Sequence, residues 1–127
     1  MGLSFIRLEL ARTPAYPDGN RNCGYEFTAP LDAEGMLDSR QWARDKAKCT
    51  VRRFWEHAQD EHGMLVHHVG RWAFSYGRSS DDDEEPIYRL DRHVFRPGEY
   101  VTVTEHDGVA RPFRVASIRA TTLHNAA

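Results

Sequence analysis

The stretch from residue 95 to residue 118, FRPGEYVTVTEHDGVARPFRVASI, constrains the fold of this chain more than any other. Its first half is rich in β-branched and aromatic residues, and residues 111–119 form a second such run. Asp107 and Gly108 lie between the two runs, where this pair favours a two-residue hairpin turn of type I′. We therefore predict an antiparallel hairpin whose firmest strand residues are Tyr100, Val101, Val103, Phe113 and Val115.

Other segments also alternate with a period of two, which predicts strands over residues 3–11, 24–31, 50–55, 64–76 and 87–95. The segment 64–76 is the longest, so it is either one strand or two strands joined by a bend at Gly70. One helix is predicted to begin after Asp38, with Gln41 completing a capping box, and to end near Cys49. The pattern predicts a mostly β fold with one short helix, in the form of a single-domain antiparallel barrel or a strongly curved sheet.

The length of 127 residues fits one domain over residues 1–127. Residues 77–86 contain five consecutive acids, so we expect a mobile, exposed loop there and a frayed tail over residues 121–127. The net charge of −2 with interleaved acids and bases makes nucleic acid an unexpected partner. Arginines beside Phe54 and Trp55 keep a single-strand platform open as an alternative. Without a long apolar run or a secretory pattern, a cytoplasmic protein with reduced cysteines and no membrane partner is expected.

A candidate ligand site follows from the alternation in residues 64–76. Alternation places six side chains on one face, namely Met64, Val66, His68, Trp72, Phe74 and Tyr76. Trp42 of the helix is expected near the mouth of the cavity that this face would line. We predict that a small molecule binds to His68, Trp72, Phe74, Tyr76 and Trp42, while the alternative is that this face is hydrophobic core. The seven histidines and two cysteines have no metal-ligand spacing and no nucleophile motif is present, so we expect no metal and no catalytic residue.

Two short segments of the hairpin resemble the flavin-binding strands of ferredoxin-reductase-type domains. Residues 95–101, FRPGEYV, resemble the family pattern F-x-P-G-Q-Y-V, and residues 111–117, RPFRVAS, are similar to R-P-Y-S-I-A-S. The resemblance implies FMN or FAD as a cofactor bound through Arg111, Phe113 and Ser117. The chain departs from the pattern at Glu99, Phe113 and Arg114, and only ten residues follow Ser117. The alternative is that both segments are ordinary β-hairpin sequence.

Three hypotheses of function therefore stand at this point. The leading one is a non-catalytic protein that binds a small ligand or serves as an accessory domain. The second is a flavin-binding oxidoreductase fragment. The third is an interaction module that forms a homodimer through an open edge strand.

Overall fold

The computed structural model describes residues 2–68, 70–76, 84–87 and 94–121. They form a closed antiparallel β-barrel in which each strand pairs with the next one along the chain and the last strand pairs with the first. This architecture confirms the predicted fold class. The strands are β1 (Ser4–Leu10), β2 (Asn20–Ala29), β3 (Thr50–Phe54), β4 (Glu61–His68), β5 (Arg71–Ser75), β6 (Glu84–Ile87), β7 (Tyr100–Thr104) and β8 (Ala110–Ala120).

Alternation along the strands fills the interior of the barrel with aromatic side chains. Tyr25 and Phe27 point inward from β2 and contact Phe74 of β5: the Tyr25 ring stacks on it at 4.9 Å between centroids, and the Phe27 ring meets it edge-on at 5.0 Å. Phe113 of β8 lies edge-on to Tyr25 at 5.2 Å. All four side chains have at most 1% of their surface exposed. The middle of the barrel is thus a packed core, as expected for a small barrel whose interior is just wide enough for side chains.

A short helix covers one end of the barrel, which we call the helix end. Helix α1 (Ser39–Asp45) continues into a 3₁₀ turn over Lys46–Lys48, so helical structure stops before Cys49 as predicted. The Asp38 carboxylate accepts hydrogen bonds from the backbone N–H groups of residues 40 and 41, as an N-cap should. The Asp38 N–H donates to the Pro30 carbonyl at 3.0 Å. The indole N–H of Trp42 donates to the Leu65 carbonyl at 2.9 Å and anchors the helix on β4.

The turn between β7 and β8 differs from the predicted type I′ turn. Gly108 has a φ of 80°, whereas Asp107 does not have a positive φ, although a type I′ turn needs positive values at both positions. The Gly108 N–H donates to the Glu105 carbonyl at 2.8 Å, and the Glu105 N–H donates to the Val109 carbonyl at 3.0 Å. These bonds define a three-residue loop in which a type I turn is followed by a glycine bulge.

The acidic segment is less exposed than its composition predicts. Residues 84–86 belong to β6 rather than to a loop, and Glu85 is completely buried. The rest of the predicted mobile loop, residues 77–83, lies outside the described residues. The predicted strand over residues 87–95 is wrong at Val94 and Phe95, which lie outside any strand, and residues 88–93 are outside the described residues. Of the predicted frayed tail only Thr121 is described, and its N–H donates to the Leu3 carbonyl.

Closure of the barrel removes the open edge that the homodimer hypothesis requires. β1 pairs on one side with β2 and on the other with β8, and none of the strands in the described part of the chain is left with a free edge. An edge-strand contact is therefore the wrong mode, while dimerisation itself stays a prediction. Within the described ranges, none of the helical segments has the length and apolar character needed to cross a membrane. Cys23 and Cys49 are both buried and are not joined by a disulfide.

Candidate functional site

Two buried glutamates lie at the end of the barrel opposite α1, which we call the polar end. Glu85 is paired with Phe74 across β6 and β5, so its side chain shares the inward direction of that ring. Glu105 follows β7 and continues the inward positions of Val101 and Val103. Glu85 is 0% exposed and Glu105 is 4% exposed. Carboxyl groups buried to this degree need hydrogen-bond partners, because burial without them is very costly.

Tyr25 joins the two carboxyl groups. Its phenolic oxygen lies 2.8 Å from Oε1 of Glu85 and 2.5 Å from Oε2 of Glu105. A phenol carries one proton and can donate it to one carboxylate only. The second short contact between two oxygens needs a second proton, because two bare lone pairs at such a distance repel each other. We infer that one of the two glutamates holds a proton.

The partners of the two carboxyl groups differ, and this difference favours the proton on Glu85. Glu105 accepts hydrogen bonds from two guanidinium groups, at 3.1 Å from Nε of Arg53 and at 2.8 Å from Arg111, and these favour its ionised form. The Glu85 carboxyl group accepts instead from the neutral Tyr76 hydroxyl at 2.8 Å. Among the described residues, its nearest guanidinium nitrogen, on Arg53, is 3.9 Å away, and the ring Nε2 of His106 is 3.5 Å away. Burial also raises the pKa of Glu85 above its usual value. We therefore infer that the Glu85 carboxyl carries the proton and donates it to the Tyr25 oxygen, while Tyr25 donates to Glu105.

His106 connects this buried chain to the surface. Its backbone N–H donates to Oε2 of Glu85 at 3.2 Å, and its ring Nε2 lies 2.9 Å from Oε1 of the half-exposed Glu61. The imidazole ring also packs on Tyr76, with ring centroids 5.0 Å apart. Both the main chain and the side chain of His106 thus form a cover over Glu85.

A cleft of about 240 Å³ opens to solvent beside this network. Glu105 forms part of its lining, and the guanidinium carbon of Arg53 lies over the Trp55 ring, 4.3 Å from its centroid. Arg111 makes two hydrogen bonds to Asp107, at 3.1 and 3.0 Å, and that carboxylate is about half exposed. We call this the polar-end cleft, and its lining residues are Arg53, Trp55, Glu105, His106, Asp107 and Arg111. It combines a buried carboxylate, two guanidinium groups and an indole in one small concave site.

The predicted ligand site does not assemble as a single face. Trp72 and Phe74 are buried and point inward, but His68 is exposed and is paired with Arg71 on the outer surface. The reason is the register of β4 and β5, in which His68 pairs with Arg71 and His67 pairs with Trp72, so that odd-numbered residues of β4 share a face with even-numbered residues of β5. His67 therefore replaces His68 beside Trp72, with ring centroids 4.3 Å apart.

The other two predicted ligand residues lie at opposite ends of the barrel. Trp42 packs on Trp72 at the helix end with ring centroids 5.9 Å apart, whereas Tyr76 bonds to Glu85 at the polar end. Burial lowers the pKa of His67, which lies beside the two tryptophans. Of the five predicted residues, Trp72 and Phe74 thus lie in the core and His68 lies on the surface. Trp42 and Tyr76 lie at the two ends of the barrel. The alternative reading of this face as hydrophobic core is correct for Trp72 and Phe74.

The three residues of the flavin resemblance are also separated. Arg111 is engaged by Glu105 and Asp107, and Phe113 is completely buried in the core. Ser117 is paired with Arg7 on the outer wall, because an irregularity near residue 116 shifts the register of β8 against β1. The geometry therefore does not bring Phe113 and Ser117 to one cofactor surface.

Sequence reasoning missed both buried glutamates, although a signal for each was present. Glu105 has the same parity as Val101 and Val103, and Glu85 has the same parity as Ile87. Counting in steps of two from these apolar positions would have placed both carboxyl groups inside the barrel. Among the described residues, no group of three histidine, cysteine or acidic side chains is arranged to hold a metal ion.

Comparisons with known proteins leave this geometry as the basis for any assignment. No family model, curated protein or solved structure matches the chain.

Proposed function

We propose that this protein is a non-catalytic binding protein that holds a small molecule in the polar-end cleft. The ligand presents a carboxylate or a similar oxygen acceptor to the cleft and a flat apolar part to its wall. The observation that carries the proposal is the position of Arg53 and Arg111, two guanidinium groups that share the buried carboxylate of Glu105 and line an open cleft. A concave site with a few convergent polar groups is the usual form of a small-molecule site.

The hydrogen bonds already made in the cleft favour an acceptor ligand. The Glu105 carboxylate accepts from Tyr25, Arg53 and Arg111, so its lone pairs are largely used within the protein. Arg111 faces the cleft through its contact with Asp107, a side chain on a hairpin tip that is about half exposed. A ligand carboxylate could replace Asp107 at the same edge of the guanidinium, because that edge matches carboxylate geometry with two parallel bonds.

The buried, unpaired cysteines support a location in a reducing compartment, and we propose the cytoplasm. The homodimer remains a separate prediction that light scattering of the purified protein tests.

Benzoate is a suitable probe for the cleft, because it combines a carboxylate with a flat ring. In an NMR titration, benzoate should shift the indole N–H signal of Trp55, while Trp42 and Trp72 at the helix end provide internal controls. Arg111→Gln should weaken binding about tenfold or more, since it removes a charge-assisted hydrogen-bond pair. Arg40→Gln, an exposed arginine on α1, is the matched control and should leave the affinity unchanged. A Trp55 signal that does not move at millimolar benzoate, or an equal loss in both variants, would contradict the proposed function.

A further inference from the structure

A second open groove, of about 520 Å³, lies on the outer wall of the barrel away from the polar-end cleft. Its floor is a row of outward side chains in which Tyr100 of β7 is paired with Arg114 of β8, and Arg114 is paired with Glu9 of β1. Residues 11–19, which connect β1 to β2, form its other wall and contribute Arg12, with Arg21 beside them at the start of β2. We call this the arginine groove.

The three arginines of this groove have no carboxylate partner within ion-pair distance in the part of the chain that the structure describes. Glu9 is the nearest acid across the strand from Arg114, but its carboxylate is held by Nε of Arg7 at 2.8 Å. Asp18 is the one other acid in the lining. Three guanidinium groups against one uncommitted carboxylate leave a local excess of positive charge in a chain whose net charge is −2. Neighbouring like charges repel, and a bound anion would relieve that repulsion.

The wall formed by residues 11–19 is held in place by its own hydrogen bonds. Thr13 and Tyr16 exchange two backbone hydrogen bonds of 3.0 Å across one turn, and the Gly19 N–H donates to the Tyr16 carbonyl at 2.9 Å to close a second turn. Gly19 has a φ of 73°, and a β-carbon there would lie 2.7 Å from the Leu10 carbonyl oxygen. The connection therefore packs closely on the end of β1, and the groove exists before any ligand binds.

An aromatic ring lies at the other side of the groove. Tyr100 is 59% exposed, which is a large exposed area for an aromatic side chain in this molecule. Its strand position places it directly beside Arg114, with side chains about 5 Å apart at Cβ. An exposed ring next to a guanidinium provides a flat surface on which a second ring can stack.

We propose that the arginine groove binds a small phosphate ester that carries an aromatic or heteroaromatic ring. The phosphate group lies among Arg12, Arg21 and Arg114, since guanidinium groups match phosphate oxygens with paired hydrogen bonds. The ring of the ligand stacks on Tyr100. A phosphate ester fits better than a carboxylate, because its charge of about −2 and its three acceptor oxygens match several arginines at once.

The experiment compares two probes, AMP and inorganic phosphate, by NMR titration and calorimetry on the full chain. AMP should shift the backbone signals of residues 12, 21, 100 and 114 without moving the indole signal of Trp55. Arg114→Gln and Arg12→Gln should each weaken AMP binding about tenfold or more. Tyr100→Ala should weaken the binding of AMP but leave that of inorganic phosphate unchanged, because phosphate has no ring. Arg40→Gln is again the matched control, and the signal dispersion of each variant verifies its fold.

Three results would overturn the proposal: no shift of groove signals at millimolar AMP, equal losses in Arg114→Gln and Arg40→Gln, or a Tyr100→Ala variant that binds both probes as the parent does. This outcome is independent of the benzoate titration, since different residues report on the two sites.

Discussion

Replacing Glu85 by glutamine, with Glu105→Gln as its matched partner, tests the protonation of the polar end. The two glutamates lie on either side of the Tyr25 hydroxyl and are buried to a similar degree, yet we assign them opposite charge states. An amide has nearly the shape of a protonated carboxyl group, and its nitrogen can donate to Tyr25 as the Glu85 carboxyl does. Glu85→Gln should therefore change the free energy of unfolding at pH 7 by less than about 1 kcal/mol.

Glu105→Gln should cost much more, because it removes the negative charge from between Arg53 and Arg111. Removing one partner of a buried ion pair typically costs about 3–5 kcal/mol. The side chains of Arg53 and Arg111 are 15% and 28% exposed, and Arg111 keeps Asp107, so water and a second carboxylate compensate in part. We expect a loss near the lower limit, about 3 kcal/mol, measured by urea unfolding at pH 7.

The pH dependence gives a second readout of Glu85. Its pKa in the folded protein is raised above the ordinary value of 4.5. At pH values between 4.5 and the folded-state pKa, the folded protein therefore holds a proton that the unfolded chain has released. The stability contributed by Glu85 is complete below pH 4.5 and is lost as the pH rises through the folded-state pKa, by about 1.4 kcal/mol per pH unit. The parent should therefore lose stability relative to Glu85→Gln as the pH is raised.

Infrared difference spectroscopy between the parent and Glu85→Gln should also show the loss of the carbonyl band of a protonated carboxylic acid. Two results together would contradict this assignment: Glu85→Gln destabilises the protein as much as Glu105→Gln does, and its loss of stability relative to the parent grows as the pH is raised. Glu85 would then be ionised in the folded protein.

Three further predictions concern other parts of the fold. Gly24→Ala should destabilise the barrel by more than about 2 kcal/mol, because its β-carbon would lie 1.9 Å from the Leu8 carbonyl oxygen; Gly2→Ala, where nothing lies within 4 Å, is the control in urea unfolding. Burial raises the pKa of Cys49 to about 11, so its thiol should react with Ellman's reagent far more slowly in the folded than in the urea-unfolded protein, and equal rates would contradict the burial. Asp38→Ala should cost about 1 kcal/mol by removing the N-cap of α1, whereas Ser39→Ala, one position later, should cost little; equal costs by thermal unfolding would show that the cap contributes nothing.

Most of the barrel could be predicted from the sequence, because period-two alternation is a local signal. Ile6, Leu8 and Leu10 all point inward as their spacing indicates, and the Asp38 cap marks the start of α1. The turns were harder to predict. A type I′ turn needs a positive φ at both Asp107 and Gly108, whereas the observed type I turn with a glycine bulge needs it at Gly108 alone. The pair Asp-Gly is compatible with both turns, so the sequence does not distinguish them.

The candidate site was harder still, because it depends on contacts between distant segments. The register between β4 and β5 places His67 rather than His68 on the inner face, and a register error of one residue moves a predicted site to the opposite side of the sheet. The burial of Glu85 depends on Tyr25, sixty positions earlier in the chain, and on Tyr76. An acidic run is normally solvated, and only knowledge of those tertiary partners reverses that expectation.

The pairing of β1 with β8 has a consequence for how the chain folds. Each of the other pairings joins strands that follow one another along the chain, whereas Ser4 must find Ala120 across nearly the whole length. Closing so long a loop is entropically slow, so this contact should form last, after a curved sheet with two bare edges has already assembled. During that interval the sheet can pair with another copy of itself as readily as with its own far edge. Slow pairing of β1 with β8 is then a step at which this protein is prone to aggregate.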